Sequence, residues 1–420
     1  MPARLHSPAP SLPDLHVGFF IAGMATTLLG PVLPALAQRW QVSDALVGLA
    51  FTVQFLGTVS MSALSSALVF RFGGVRVMIV GFVVLAIGTG GLTVASWLPG
   101  LAAILCYGCG LGLVLPTTNV LVAAARPGRE APAVSLVNVS WSGGAVAWPV
   151  MVAWLGGGER IAVPLVALAI VASGIALRLA FANGAALANA SFHAASPGRG
   201  RHRSGEPLPA GTAAQDARGV TALFVTFGAL LFFYAGGEAA IGGWVAEHVR
   251  RMGGADSGRV WTFAPMAFWA ALALGRLLTP LMLRVSDEPR VLVLALLAVL
   301  AASSALAMAP SVPIAFVAAV LAGFGLAPVF PITFVDLSRT LSPVRPRAVG
   351  PAYAMASVGS AVLPWLVGFC STEFGSLRVG LLVPVVSTAA MLALTAVRLS
   401  RERRTRFRAQ DGDAITQTPQ

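Results

Sequence analysis

Ionisable side chains away from the edges of the long apolar runs are few: Glu238, Arg276 and, close to the end of its run, Asp336. Glu238 sits in FFYAGGEAAIGGW (232–244), and the next carboxylate, Glu247, falls beyond that apolar stretch. A carboxylate at the centre of an apolar helix costs about 2.5–3.5 kcal/mol to insert, so it faces a wet cavity or a partner. So placed, it can exchange a proton or hold a polar solute. The plainer use is a structural lock on a neighbouring helix. Arg276 is the candidate counter-charge. At about 1.5 Å per residue from the helix ends, each of the two lies roughly 12 Å from an opposite surface, so a direct pair needs the arginine's full reach.

Neutral polar groups fall in the same kind of run: Gln54, Thr117, Thr118, Asn119, Asn138 and Ser140, with Trp141 beside them. Amides exposed to lipid are costly, so they either line a wet cavity, where they suit hydroxyl-bearing solutes, or bond helix to helix. Trp141, Trp244 and Trp365 could stack on a ring or sugar face, and Trp244, near a helix end, also suits interfacial anchoring. Cys106, Cys109 and Cys370 sit in apolar runs; no second ligand pair follows Cys106-x-x-Cys109 at zinc spacing, so no metal site is expected.

The chain that must hold these groups has 420 residues, 57% hydrophobic and 10% charged, with a mean hydropathy of +0.82. Soluble domains carry about 25% charged residues, so this is an integral membrane protein. Twelve runs are long enough to cross a bilayer: 15–37, 45–70, 75–97, 100–125, 133–155, 161–182, 220–246, 260–283, 290–309, 313–338, 348–371 and 378–398. They are too long and too uniformly apolar for barrel strands, so the expected class is all-α. The first run exceeds a signal-peptide core and only Arg4 precedes it, so it is expected to be retained. The polar stretch 183–219 reads as a flexible linker between a half at 1–182 and a half at 220–398, with a tail at 399–420.

All 28 basic residues are arginine, and the net charge is +12. With the N-terminus inside, twenty-one arginines fall on inner segments and six on outer ones. That bias places both termini in the cytoplasm and explains the charge without nucleic acid. The Arg, Ala and Gly usage suggests a bacterial, GC-rich source.

The halves repeat. GCGLGLVLPTTNV at Gly108 matches GFGLAPVFPITFV at Gly323, at an offset of 215. Ser142, Gly144 and Pro149 match Ser357, Gly359 and Pro364 at the same offset, and FFIAG at Phe19 matches FFYAG at Phe232 at 213. Six spans duplicated in parallel orientation form the layout of the major facilitator transporters, whose substrate site lies near the midplane.

The whole chain resembles that superfamily. The loop ALVFRFGGVR (67–76) looks like its G-x-x-x-D-R-x-G-R-R signature, with Arg71 and Gly73 matching and Phe70 at the Asp position. YAGGEAAIGGW is similar to the Y-x-G-x-E…W seventh helix of the fucose:proton symporter-like branch. GFGLAPVFP (Gly323) resembles its tenth helix, and LVNVSWSGGAVAWP (Leu136) its fifth. Acids of the founding symporter's first and fourth helices align with Gly30 and Leu115, which leaves Glu238 as the embedded carboxylate.

The resemblance implies two pseudo-symmetric six-helix bundles working by alternating access. The expected function is proton-coupled transport of a small polar solute, a sugar or related metabolite. Proton-driven efflux and a non-transporting receptor are the alternatives; no paired catalytic groups or nucleophile motif suggest an enzyme. The expected setting is the bacterial inner membrane, in contact with lipid, as a monomer without cofactor and driven by the proton gradient. Glu238 is the coupling or binding residue, and Asn119, Asn138, Trp141, Gln54, Thr118 and Tyr234 are the cavity candidates. Arg71, Arg284 and Asp336 are the gate candidates, since Asp336 ends its span near the loop that carries Arg284 and Arg290. The plainer reading of Asp336 is a surface pair worth at most about 1 kcal/mol.

Overall fold

The computed structural model describes residues 11–94, 96–126, 130–156, 160–190, 213–253, 260–341 and 349–416. Among them nearly every residue is helical and none forms a strand. The helices are α1 (Leu12–Thr26), α2 (Leu29–Trp40), α3 (Asp44–Phe72), α4 (Gly74–Gly91), α5 (Trp97–Ala125), α6 (Glu130–Met151) and α7 (Ala162–Ala190). They continue as α8 (Ala213–Gly253), α9 (Phe263–Val285), α10 (Glu288–Met308), α11 (Val312–Leu326), α12 (Val329–Leu341), α13 (Val349–Glu373), α14 (Leu377–Gly380) and α15 (Leu382–Thr416). Eleven described helical stretches are long and apolar enough to cross a membrane, and the bent pair α1 and α2 makes up to twelve. Most of the expected linker lies outside the described residues.

The first span differs from the uniform run that its hydropathy suggests. It breaks between α1 and α2, with a bend of 41°. Pro31 and Pro34 follow the break; a proline lacks the N–H that its preceding turn needs and crowds the carbonyl there. Backbone oxygens at the break find side-chain donors instead. Gln54 Nε2 reaches Thr26 O at 3.0 Å, and Trp148 Nε1 reaches Leu28 O at 2.9 Å. The tenth span is likewise divided into α11 and α12, at Ala327 and Pro328.

Two compact units emerge: Met1–Val42 with Leu49–Leu223 and Gly258–Met266, and Ser43–Gly48 with Phe224–Ser257 and Ala267–Gln420. Their internal packing carries the sequence repeat. In the first unit a Cβ on Gly108 would lie 2.4 Å from Gln54 O, and one on Gly144 would lie 1.9 Å from Phe20 O. In the second, a Cβ on Gly323 would lie 2.3 Å from Phe268 O, and one on Gly359 1.9 Å from Phe232 O. The matched glycines are thus the places where helix backbones touch, which small residues permit in a membrane fold. At Gly73 the reason is different: its φ of 86° makes the tight turn out of α3, a conformation that side chains resist.

Candidate transport site

The second unit gathers Tyr234, Glu238 and Arg276. Tyr234 and Glu238 are four residues apart on α8, so they share one face. The Tyr234 hydroxyl donates to Glu238 Oε2. Arg276 Nη2, from α9, donates to the same oxygen at 3.2 Å and to the Tyr234 hydroxyl at 3.0 Å. Tyr234 is 3% exposed, and the side chains of Glu238 and Arg276 are 13% and 28% exposed. The ion pair is therefore largely withdrawn from solvent, where attraction between charges is least screened.

The separation expected from helix depth is not observed, since the two charges pair directly. α8 runs to Gly253 rather than ending near 246. Glu247 pairs with both Arg250 and Arg251 on its last turns, so the helix continues past the apolar run. Glu238 then lies well inside α8, within reach of Arg276 on α9. Close packing at Gly275 helps: a Cβ there would meet Ala327 Cβ at 2.5 Å and Phe324 O at 2.9 Å. This seats α9 against the α11–α12 break, beside which Phe330 packs on Tyr234 at 5.6 Å between centroids. Phe334 stacks on Phe330 at 5.8 Å, extending an aromatic ladder one turn along α12. Phe330 and Phe334 are not legible as site residues in the sequence, because a Phe in an apolar span carries no distinguishing signal.

The first unit treats its candidates differently. Gln54 is 1% exposed; its Nε2 donates to Thr26 O, and its Oε1 accepts from the Tyr107 hydroxyl at 2.8 Å. It is committed to the break in the first span rather than presented to a solute. Trp141 Nε1 donates to Thr26 Oγ1 at 3.3 Å, next to that break. Thr118 is fully buried. Asn119 turns its amide N–H to Leu115 O at 3.2 Å, while its Oδ1 is buried without a hydrogen-bond partner among the described residues. Asn138 is exposed, with its amide on Val134 O at 2.7 Å.

The gate candidates do not form the expected pair. Asp336 Oδ2 meets Arg398 Nη2 at 2.8 Å, and Arg398 lies over the Phe227 ring at 5.5 Å. The first turn of α10 is engaged by Arg339, which reaches Glu288 at 3.1 Å. Asp336 thus turns to α15, and Arg284 is exposed at the end of α9. Arg71 is also exposed, with its guanidinium 5.2 Å from the Phe72 ring. Among the described residues no group of three His, Cys, Asp or Glu could hold a metal ion.

The family profile described as Major Facilitator Superfamily matches residues 15–302. No curated protein matches the chain. Among solved structures, a bacterial homologue of the human lysosomal transporter Spinster, inward-facing and occupied, is 16% identical. It covers 92% of this chain and 95% of its own, with a TM-score of 0.72. A D-xylose–proton symporter is 13% identical over 90% of this chain and 96% of its own, with a TM-score of 0.68. The E. coli fucose:proton symporter (an N162A variant) is 15% identical over 92% and 98%, with a TM-score of 0.57.

Proposed function

The chain belongs to the Major Facilitator Superfamily, and from that premise we propose that it couples movement of a small polar solute to protons through Glu238. Membership makes it a multi-pass membrane transporter rather than an enzyme. The proposed setting is the bacterial inner membrane, with both termini cytoplasmic and a single chain alternating access. Proton symport is what the D-xylose and fucose structures are described as performing; a sugar or related metabolite is the solute class proposed here.

The observation that carries the reading is the convergence of Tyr234 and Arg276 on one oxygen of Glu238. While Glu238 is ionised, its charge and that of Arg276 cancel. A proton on Glu238 removes the ion pair and leaves the Arg276 guanidinium able to bind a solute oxygen. Loss of the proton restores the pair and displaces the solute. Proton and solute occupancy are then linked through a group that both bias.

The test is a screen in proteoliposomes with sugars, sugar acids and small amphiphiles, reading solute-dependent proton currents. A saturable current with one class supports the reading and identifies the solute. Saturable solute flux that carries no protons at any pH would rule the coupling out.

A further inference from the structure

Arg276 and Tyr234 both donate to one oxygen of a carboxylate, Glu238. The Tyr234 hydroxyl accepts from Arg276 at 3.0 Å, which turns its own proton toward that oxygen. A guanidinium beside a phenol is a donor set for an oxyanion, and the planar fork of arginine suits a carboxylate better than a lone hydroxyl. Other arginines of this unit's helices are engaged: Arg398 with Asp336, and Arg250 and Arg251 with Glu247. The site thus offers one positive charge, enough for one negative charge.

A neutral polyol is poorly served by this half. Each of its hydroxyls wants an acceptor as well as a donor, which amides and carboxylates supply. Between Phe224 and Ser400 the sequence has no Asn and no Gln. Hydroxyls around the site are spent on backbone: Ser360 Oγ donates to Ala235 O at 3.2 Å, Ser387 Oγ to Phe233 O at 3.1 Å and Thr279 Oγ1 to Gly275 O at 2.8 Å. Beside the ion pair stands apolar surface instead. The Tyr234 ring lies 5.6 Å from Phe330, and Phe330 lies 5.8 Å from Phe334, with both phenylalanines half-buried. Such rings hold a flat or apolar body.

We infer that the solute is a small organic monocarboxylate with an apolar or aromatic body. Its carboxylate takes the place of Glu238 on Arg276 and Tyr234, and its body lies against Phe330 and Phe334. The inference rests on reading Glu238 and Arg276 as the transport site, and it narrows the solute of that reading to an acid. Ionised Glu238 competes with the solute for the same two donors; protonated Glu238 gives them up.

The test is isothermal titration calorimetry on the full chain in detergent, run in two buffers of different ionisation heat so that proton uptake is counted. The probes are benzoate, cyclohexanecarboxylate, benzamide, gluconate and D-xylose. Benzoate or cyclohexanecarboxylate is expected to bind the wild type with uptake of about one proton. Benzamide, the same body without the charge, and gluconate, an acid whose body is all hydroxyls, should each bind at least about tenfold more weakly. Glu238→Gln removes the competitor, so its affinity for benzoate at alkaline pH should exceed that of the wild type by about tenfold or more, with no proton taken up. A gain of affinity does not arise from a misfolded protein. Carboxylate binding to the wild type without proton uptake would keep the acid as the solute and sink the coupling reading alone. Benzamide or gluconate binding as tightly as benzoate, D-xylose binding alone, or no carboxylate bound by either protein would overturn the inference.

Discussion

Glu238 and Arg276 stand 38 residues apart on neighbouring helices and meet at 3.2 Å through one carboxylate oxygen, the oxygen that also takes the Tyr234 hydroxyl. The other side of the repeat has no such charge: the positions matching Tyr234 and Glu238 are Ile21 and Ala25. Duplication supplied the helices, and one half alone carries the ionisable pair.

Breaking that pair from one side should cost more than removing it. Arg276→Gln leaves a mostly buried carboxylate without its counter-charge, and the expected loss of stability is about 3 kcal/mol. Glu238→Gln with Arg276→Gln should recover a large part of it. Thermal unfolding in detergent of the two single variants and the double variant checks this; additive losses would show that the charges do not interact.

Tyr234→Phe keeps the ring contact with Phe330 and deletes only the hydroxyl. One hydrogen bond to a charged group is worth about 1.5–3 kcal/mol. Stability should fall by about that much, because Glu238 and Arg276 both lose a buried hydrogen-bond partner. Thermal unfolding in detergent measures it, and a variant as stable as wild type would show that the hydroxyl does not hold the pair.

The broken first span depends on Gln54. Gln54→Leu removes the donor to Thr26 O and leaves the Tyr107 hydroxyl without its partner. About 2–4 kcal/mol of stability should be lost, from the two broken bonds and the stranded groups. A variant as stable as wild type would mean that the break satisfies itself.

Gly359→Ala places a methyl 1.9 Å from Phe232 O and should abolish folded expression, as should Gly144→Ala against Phe20 O. Gly174→Ala on α7 meets nothing within 4 Å, so it should be neutral or stabilise by up to about 1 kcal/mol. Fluorescence-detected size exclusion separates these outcomes.

Much of this architecture was legible beforehand because apolar run length and repeated Gly-x-Gly…Pro segments report directly on lipid thickness and helix contact. The glycines matched at 215 residues do become the backbone contacts. Less legible were features in which one sequence pattern serves two structures. Gln54 reads alike as a cavity amide and as a buried lock, since both put an amide in an apolar span. The run over 15–37 stays apolar through its break, so hydropathy alone does not register the bend that Pro31 and Pro34 produce. Asp336 had several arginines within reach in sequence, and only the packing of α15 brings Arg398 to it rather than Arg284.

The central claim is that Glu238 carries the coupling proton, and comparing wild type with Glu238→Gln in proteoliposomes tests it most directly. Solute-driven proton current and solute exchange at equal pH would be recorded on the same preparations. The account predicts that the variant loses the proton current by at least about tenfold while still exchanging solute down its gradient. Equal proton currents in both proteins would contradict it and leave Glu238 as a structural partner of Arg276.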